Sequence, residues 1–197
     1  LVYGWSMGAQ QAYHWGALFG EAVERIVVNC GSARTAPHNF VFLEGIRATL
    51  TADGAWRDGR FIERPVRAMR AFARVYAGWG FSQAFYREQL DIKTLGFSSL
   101  EDFLVAFWEG FFLPKDANNL LTMLWTWQHG DISDNEIFKG DFKKALGAIK
   151  APGAGPTASQ TSPKTQRQIM AWHGYQIWVT QISQLKAGET ASLPVRW

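Results

Sequence analysis

The stretch Gly4-Trp5-Ser6-Met7-Gly8, near the start of the chain, constrains the fold more than any other. Apolar residues precede it and helix-tolerant residues follow it, which is the sequence form of a nucleophile elbow, a sharp strand-to-helix turn that presents a serine hydroxyl. The two glycines indicate a strained turn in which side chains at positions 4 and 8 would collide. The pattern predicts a buried strand over residues 1–4 and a helix over about residues 8–19.

Two residues of this turn are candidates for a role in catalysis. Ser6, at the tip, is placed to act as the nucleophile of an acyl-transfer reaction. The backbone amide of Met7, at the start of the helix, would face the developing negative charge as part of an oxyanion hole. The alternative is that Ser6 is a structural turn residue. Nearby, we interpret His14 as a packing residue rather than a base, and Cys30 as a core residue rather than a second nucleophile.

A second strand is predicted at Ile26-Val27-Val28, because a short β-branched run is typical of a buried parallel strand. A strand, a helix and a strand within roughly thirty residues form a βαβ unit with a right-handed crossover. Loops after parallel strands share one crevice, so the loop that carries Arg34 is expected on the same side as Ser6. Arg34 is a candidate for binding a substrate carboxylate, with stabilisation of its own loop as the alternative.

From about residue 39 the pattern changes to successive amphipathic helices, with no strand among them. A helical insertion after two parallel strands is typical of a lid. We therefore divide the chain into a partial α/β core (residues 1–38), an all-helical lid (39–149) and an aberrant or poorly ordered tail (150–197). Helix starts within the lid are predicted at Ser98-x-x-Glu101, at Asp116 and at Ser133-x-x-Glu136. A stripe formed by Arg67, Arg70 and Arg74 is interpreted as a solvated helix face.

Composition excludes several classes of function. No apolar run is long enough to span a bilayer, so we expect no membrane partner. The four histidines show no metal-ligand spacing, so we expect no metal site. Residues 1–142 carry 13 Lys and Arg against 16 Asp and Glu, whereas residues 143–197 carry 7 against 1. The basic residues of the tail are scattered rather than clustered, so we expect no nucleic-acid binding. A single cysteine fits a reducing, cytoplasmic compartment.

Four separated motifs support a family resemblance: Gly4-Trp5-Ser6-Met7-Gly8-Ala9-Gln10-Gln11, Cys30-Gly31-Ser32-Ala33-Arg34-Thr35-Ala36-Pro37-His38-Asn39, Asp116-Ala117-Asn118-Asn119-Leu120-Leu121 and Trp127-Gln128-His129-Gly130-Asp131-Ile132-Ser133. Over about residues 1–150 the chain resembles homoserine O-acetyltransferase-type proteins of the α/β-hydrolase superfamily. The resemblance implies an α/β fold, here a fragment of the α/β-hydrolase fold with a large helical lid.

The resemblance also implies a chemistry. Proteins of this type move an acetyl group from acetyl-CoA to a hydroxyl by a ping-pong route through an acyl-serine, using a Ser-Asp-His triad. On this chain Ser6 would be the nucleophile, acetyl-CoA a substrate rather than a bound cofactor, and the acceptor a small molecule. Because some relatives of this type are plain ester hydrolases, a carboxylester hydrolase that uses water is the alternative. A non-catalytic fragment that acts as a homodimer is a third hypothesis.

The resemblance ends after Lys150. Residues 151–164 contain three prolines and two glycines, which do not suit a central strand. Beyond Asp141 the only carboxylate side chain is Glu189, and the only histidine, His173, precedes it, whereas a triad in this fold runs serine, acid, histidine. We interpret His173 as a surface residue, with a lone base as the alternative. We expect a fragment whose beginning is missing, whose tail arose from a shifted reading frame or a misjoined exon, and which shows little or no turnover.

Overall fold

The predicted βαβ unit is present at the start of the chain. The computed structural model describes residues 1–150 and the backbone of residues 171–172 and 175–176. Strand β1 spans Val2–Trp5, helix α1 spans Met7–Leu18 and strand β2 spans Ile26–Asn29, with a 3₁₀ turn at Gly20–Ala22. The strands pair in parallel, with Val2 opposite Ile26 and Trp5 opposite Asn29. The pattern of apolar and β-branched residues therefore predicted these elements to within one or two residues.

Small side chains allow α1 to lie close to the two strands. Ala9 and Ala12 are fully buried, and they pack with Ile26 and Val28 of β2 in one apolar cluster. Tyr13, one residue further along α1, is also buried in this cluster. Burial of each large apolar side chain contributes about 1.5–3 kcal/mol. This cluster holds the start of α1, and with it residue 6, against the ends of the strands.

Residues 37–128 form a second unit, which is mainly helical. Its elements are α2 (Pro37–Thr51), β3 (Trp56–Arg57), β4 (Arg60–Phe61), α3 (Val66–Gly80), α4 (Gln83–Arg87), α5 (Leu90–Lys93), α6 (Leu100–Phe103), a π-helical turn (Leu104–Glu109), α7 (Gly110–Phe112) and α8 (Ala117–Gln128). Its core is aromatic: Phe72 meets Phe112 edge-to-face at 4.8 Å, and Phe81 stacks on Phe85 at 4.1 Å. Within the described residues, no helix is both long and apolar enough to cross a membrane.

A short hairpin interrupts this unit, so the prediction of an all-helical lid is wrong in this detail. Strands β3 and β4 pair antiparallel through Trp56 and Phe61. The two residues between them, Asp58 and Gly59, have φ angles of 50° and 81°. Positive φ at both central positions is the type I′ turn that Asp-Gly favours in hairpins. The Asp-Gly dipeptide was the sequence signal that could have identified it.

The predicted helix starts have different outcomes. Asp116 caps α8 as predicted, because its Oδ1 accepts from the amide of Asn119 at 2.8 Å. At α6 the capping residue is Ser99 rather than Ser98, and its hydroxyl accepts from the amide of Asp102 at 3.0 Å. The helix predicted to start at Ser133 is absent, because the segment after it is a series of turns. The Ser133 hydroxyl instead donates to Asp131 at 2.6 Å.

The arginine stripe on α3 is more than a solvated face. Arg74 contacts Glu109 at 2.6 Å and Glu101 at 2.5 Å, and Arg70 lies 3.4 Å from Glu109. The Glu109 side chain is only 6% exposed, so these arginines supply the charge that a buried carboxylate needs. The hydrogen bonds that Arg74 donates to Glu101 and then to Glu109 raise the pKa of Arg74. Two of the three arginines therefore tie α3 to the π-helical turn.

Residues 129–150 pack with the strands rather than with the helical unit, which corrects the predicted lid boundary at residue 149. The amide of Ile132 donates to the carbonyl of Ala33 at 3.0 Å, and that of Thr35 donates to Gly130 at 2.8 Å. Ile132, like Ala33, is buried in the cluster that contains α1. Helix α9 (Phe142–Gly147) belongs to the same unit. Long-range backbone pairing of this kind leaves no periodic trace in the sequence.

Beyond residue 150 the described backbone contains one antiparallel pair, β5 (Ala171–Trp172) with β6 (Tyr175–Gln176). The remaining predictions for the tail, including those for His173 and Glu189, lie outside the described residues.

Candidate active site

Ser6 occupies a strained turn between β1 and α1. Its φ of 54° and ψ of −120° lie in a region that residues other than glycine rarely adopt. Such a backbone conformation costs about 1–3 kcal/mol. Three backbone hydrogen bonds hold it: the Ser6 amide donates to Asn29 at 2.8 Å, and its carbonyl accepts from Ala9 at 2.9 Å and from Gln10 at 3.3 Å. The surrounding backbone therefore determines a conformation that the residue itself disfavours.

The Ser6 hydroxyl is not used to cap the helix that it precedes. Serine at an N-cap ordinarily accepts a hydrogen bond from an amide of the first turn. Ser6 is the N-cap of α1, yet its side chain makes no such bond. Ser82 and Ser99, at the starts of α4 and α6, both make it. The oxygen of Ser6 is therefore left available to another reactant.

Glycine is required at one flanking position of the turn but not at the other. A Cβ at Gly4 would lie 2.0 Å from the carbonyl oxygen of Gly8, so no other residue fits there. A Cβ at Gly8 would meet no atom within 4 Å among the described residues, so the predicted collision at position 8 is wrong. Gly31, after β2, is a further close approach, because a Cβ there would lie 2.3 Å from that of Ala9.

Met7 is the first residue of α1, so its amide has no intrahelical acceptor. The positive end of the helix dipole lies at the same place. The first turn of α1 contains no acidic residue that would neutralise it. An anion that forms next to Ser6 would therefore meet an amide and a favourable field, which is the environment that the predicted oxyanion role of Met7 needs.

Arg34 is held by its own neighbours. Its Nε donates to Asp131 at 2.5 Å, its Nη2 donates to Ser133 at 2.8 Å, and its guanidinium lies 4.2 Å from the centre of the Phe142 ring. Burial raises the pKa of Asp131, but hydrogen bonds from Ser133 and Arg34 outweigh burial and hold the pKa below its usual value. These contacts favour loop stabilisation, the alternative interpretation, over binding of a substrate carboxylate.

Within the described residues, no hydrogen bond joins a histidine to the Ser6 hydroxyl. His14 lies on α1, where burial lowers its pKa and the charge of Asp131 opposes that effect. Burial raises the pKa of the Cys30 thiol to about 12, which disfavours a role as a nucleophile. Cys30 is only partly buried, however, so it is not the core residue that was predicted. Among the described residues no cluster of His, Cys, Asp and Glu could hold a metal ion.

Gln10 is a residue near the turn to which the sequence analysis assigned no role. It is 4% exposed, and its Nε2 donates to the Thr35 hydroxyl at 2.8 Å. Its position, four residues after Ser6, lies on the buried side of α1 where an apolar residue would be expected. A polar residue at an apolar position was the only sequence signal for it.

No family model matches the chain. Over 153 residues, which are 77% of the chain, it is 40% identical to the ethyl acetate hydrolase of Pseudomonas veronii, of which it covers 43%. Among solved structures, that of the acetyl esterase MekB matches with a TM-score of 0.71 and 38% identity, over 76% of this chain and 43% of that esterase. The chain thus spans less than half the length of these relatives.

The homoserine O-acetyltransferase of Zymomonas mobilis is 36% identical over 78 residues, which are 39% of the chain and 21% of that enzyme. The esterases match a larger share of the chain at similar or higher identity. The relatives are therefore mainly esterases of the α/β-hydrolase superfamily, and the chain has part of an α/β-hydrolase fold. The predicted fold class is confirmed, and the predicted resemblance is confirmed at the level of the superfamily.

Proposed function

We propose that Ser6 is the nucleophile of a carboxylester hydrolase that acts on acetyl and similar short acyl esters. One observation carries the proposal: a serine in a strained strand-to-helix turn whose hydroxyl caps nothing. The esterase relatives support the substrate class, since the matching names are ethyl acetate hydrolase and acetyl esterase. This choice replaces acetyl transfer as the leading hypothesis, because the transferase relative matches less of the chain.

The proposed hydrolysis at Ser6 would follow the steps of acyl-serine chemistry. Its Oγ would attack the carbonyl carbon of the ester, and the carbonyl oxygen would become an oxyanion next to the amide of Met7. Collapse of this intermediate breaks the bond to the alcohol, which leaves with a proton, and an acyl-serine remains. Water then attacks the acyl-serine, releases the carboxylic acid and restores the Ser6 hydroxyl.

The attack also needs an acceptor for the Ser6 proton. In this class of enzyme a histidine hydrogen-bonded to the serine takes that proton. In the described part of the chain no histidine is hydrogen-bonded to the Ser6 hydroxyl. We therefore assign to this chain the nucleophile and one oxyanion donor. The predicted low turnover of the chain on its own therefore stays a prediction.

Release of p-nitrophenol from p-nitrophenyl acetate tests the proposal. We expect little sustained turnover but a small initial release that depends on Ser6: it is lost in Ser6→Ala and retained in Ser99→Ala, a matched control in which a capping serine of α6 is removed. Digestion and mass spectrometry after a rapid quench should place the acetyl group on Ser6. Equal release by the wild type and Ser6→Ala, with both folded by circular dichroism, would contradict the assignment.

Acyl transfer to an alcohol is the second candidate, and the partial identity to the Zymomonas mobilis transferase favours it. Here acetyl-CoA would be the donor, and its thiol would be the leaving group instead of an alcohol. Free thiol released from acetyl-CoA, measured with and without homoserine, separates the two functions. An esterase consumes p-nitrophenyl acetate with no dependence on homoserine, whereas a transferase consumes acetyl-CoA faster when homoserine is present.

A further inference from the structure

Gln10 is connected to Ser6 through its backbone and to a distant loop through its side chain. Its amide donates to the carbonyl of Ser6 at 3.3 Å. Its Nε2 donates to the hydroxyl of Thr35 at 2.8 Å, in the loop that follows β2. With 4% of its surface exposed, the side chain has little freedom to move. A single residue thus ties the nucleophile turn to the loop that follows β2.

Gly130 fixes the side chain of Gln10 from the other side. A Cβ at Gly130 would lie 2.5 Å from Gln10 Nε2 and 2.9 Å from its Oε1, so the amide group of Gln10 rests directly on the backbone there. The carbonyl of Gly130 also accepts from the Thr35 amide at 2.8 Å. Gln10, Thr35 and Gly130 therefore form one set of contacts, which we term the elbow clamp.

The elbow clamp contains a polar atom, the side-chain oxygen of Gln10, that lowers the stability of the fold. The Oε1 of Gln10 is buried and has no hydrogen-bond partner among the described residues. A buried carbonyl oxygen without a partner loses its hydration and gains nothing in return. An apolar residue of similar length, such as methionine, would fill the same space without that loss. A role in positioning accounts for the amide, because its hydrogen bond to the Thr35 hydroxyl links α1 to that loop, which an apolar side chain cannot do.

We infer that Gln10 is a positioning residue for Ser6, which holds the first turn of α1 at a fixed distance from the loops of Thr35 and Gly130. The inference rests on the proposed function, since it concerns how the Ser6 hydroxyl is presented to an acyl group. A displacement of the nucleophile by a fraction of an ångström slows its reaction while leaving substrate binding intact.

The test measures how fast a fluorophosphonate labels Ser6, a reaction in which the serine oxygen bonds to phosphorus and fluoride leaves. In Gln10→Met we expect the limiting rate constant of labelling to fall about ten-fold, while the probe concentration for half-maximal rate stays unchanged. We also expect the melting temperature to stay the same or to rise, because the unpartnered Oε1 is removed. A merely structural role of Gln10 would instead lower the melting temperature and leave the rate of the folded protein unchanged.

Gly130→Ala is a second and independent variant. The three atoms nearest to its added methyl group all belong to the Gln10 amide, which it would push away from Thr35. Labelling should therefore slow as in Gln10→Met. Gly147→Ala is the matched control, since a Cβ at this residue of α9 meets nothing within 4 Å among the described residues. It should label at the wild-type rate.

The possible outcomes separate the inference from the proposed function. If Ser6 of the wild type is not labelled, the proposed function fails. If the wild type is labelled and both Gln10→Met and Gly130→Ala react at its rate, the positioning role of Gln10 is overturned and the proposed function stands. The positioning role of Gln10 is also overturned if these variants melt at a lower temperature but are labelled with the wild-type limiting rate constant and half-maximal probe concentration.

Discussion

The starts of helices α1 and α6 use the same residue type in opposite ways. Ser99 precedes α6 with an extended backbone, φ −162° and ψ 167°, and its hydroxyl caps the amide of Asp102. Ser6 precedes α1 with a φ of 54° and caps nothing. Ser82, before α4, behaves like Ser99. The difference lies in the backbone: an extended N-cap aims its side chain at the helix amides, whereas the turn at Ser6 aims it elsewhere.

The comparison shows what distinguishes a serine with a structural role from one with a chemical role. A cap satisfies an otherwise unpaired amide and contributes about 0.5–2 kcal/mol. Ser6 contributes no such bond and adopts a strained conformation, so its effect on stability is unfavourable. In exchange, both its oxygen and the first amides of α1 stay available. Substitutions that alter one of the two kinds of serine at a time test this difference.

Gly4→Ala should have the largest effect. Its Cβ would lie 2.0 Å from the carbonyl oxygen of Gly8, a backbone atom that cannot move without disrupting the turn. We expect the variant to lose several kcal/mol of stability, about 3 or more, and to lose the reactivity of Ser6. Gly147→Ala serves as its matched control and should unfold at the wild-type denaturant concentration. A Gly4→Ala variant as stable as that control would contradict the close approach at the elbow.

Ser6→Cys tests the field at the start of α1 without requiring a base. A thiol at a helix N-terminus has a lowered pKa, because the free amides and the helix dipole stabilise the thiolate. The native Cys30, whose pKa burial raises to about 12, is an internal reference. At neutral pH, iodoacetamide should modify position 6 at least about ten-fold faster than Cys30. Equal rates at the two positions, measured by peptide mass spectrometry, would show that α1 does not stabilise an anion.

Removal of the serine hydroxyl should lower the free energy of unfolding at the two capping serines but not at Ser6. Ser82→Ala and Ser99→Ala each lose a capping bond and should lower the free energy of unfolding by about 1 kcal/mol. Ser6→Ala loses no cap and should change it by less than about 0.5 kcal/mol. Urea titrations of the three variants measure this directly. A Ser6→Ala loss as large as that of Ser99→Ala would mean that Ser6 has a structural role.

The smallest expected effect is the pH dependence of the α6 start. Hydrogen bonds from the backbone and then from the side chain of Ser98 lower the pKa of Asp102. A carboxyl group whose pKa is lower in the folded state stabilises the fold above its unfolded pKa of about 3.9, and this contribution is lost as the pH falls through the folded value. The melting temperature of Asp102→Asn should therefore lie slightly below that of the wild type at pH 6, and the difference should vanish in strong acid. A constant difference at every pH would contradict this.

Local features of the fold were predictable from the sequence, because their causes are local. Gly4 at the turn and the β-branched run at residues 26–28 are local signals of the βαβ unit, and Asp116 is the local signal of the start of α8. At α6 the sequence contains two serines in a row, each followed three residues later by an acid. Pattern alone therefore did not decide between Ser98 and Ser99.

The features that the sequence did not predict depend on residues far apart in the chain. Gln10 contacts Gly130, which lies 120 residues later in the same unit. Glu109 contacts Arg74 from a π-helical turn. Such a turn contains an extra residue, which shifts the side chains out of the α-helical register. Helical periodicity contains no information about either pairing. The environment of Ser6 could be predicted as a turn, whereas the elbow clamp required the structure.

Site-resolved labelling of the wild-type chain by a fluorophosphonate tests the central claim most directly. Digestion and mass spectrometry after a fixed time would compare the modified fractions of Ser6, Ser82 and Ser99 in one folded sample. The account predicts a label on Ser6 and none on the two capping serines, whose hydroxyls are engaged with amides. An unmodified Ser6, or equal labelling of all three serines, would contradict the assignment of Ser6 as the nucleophile.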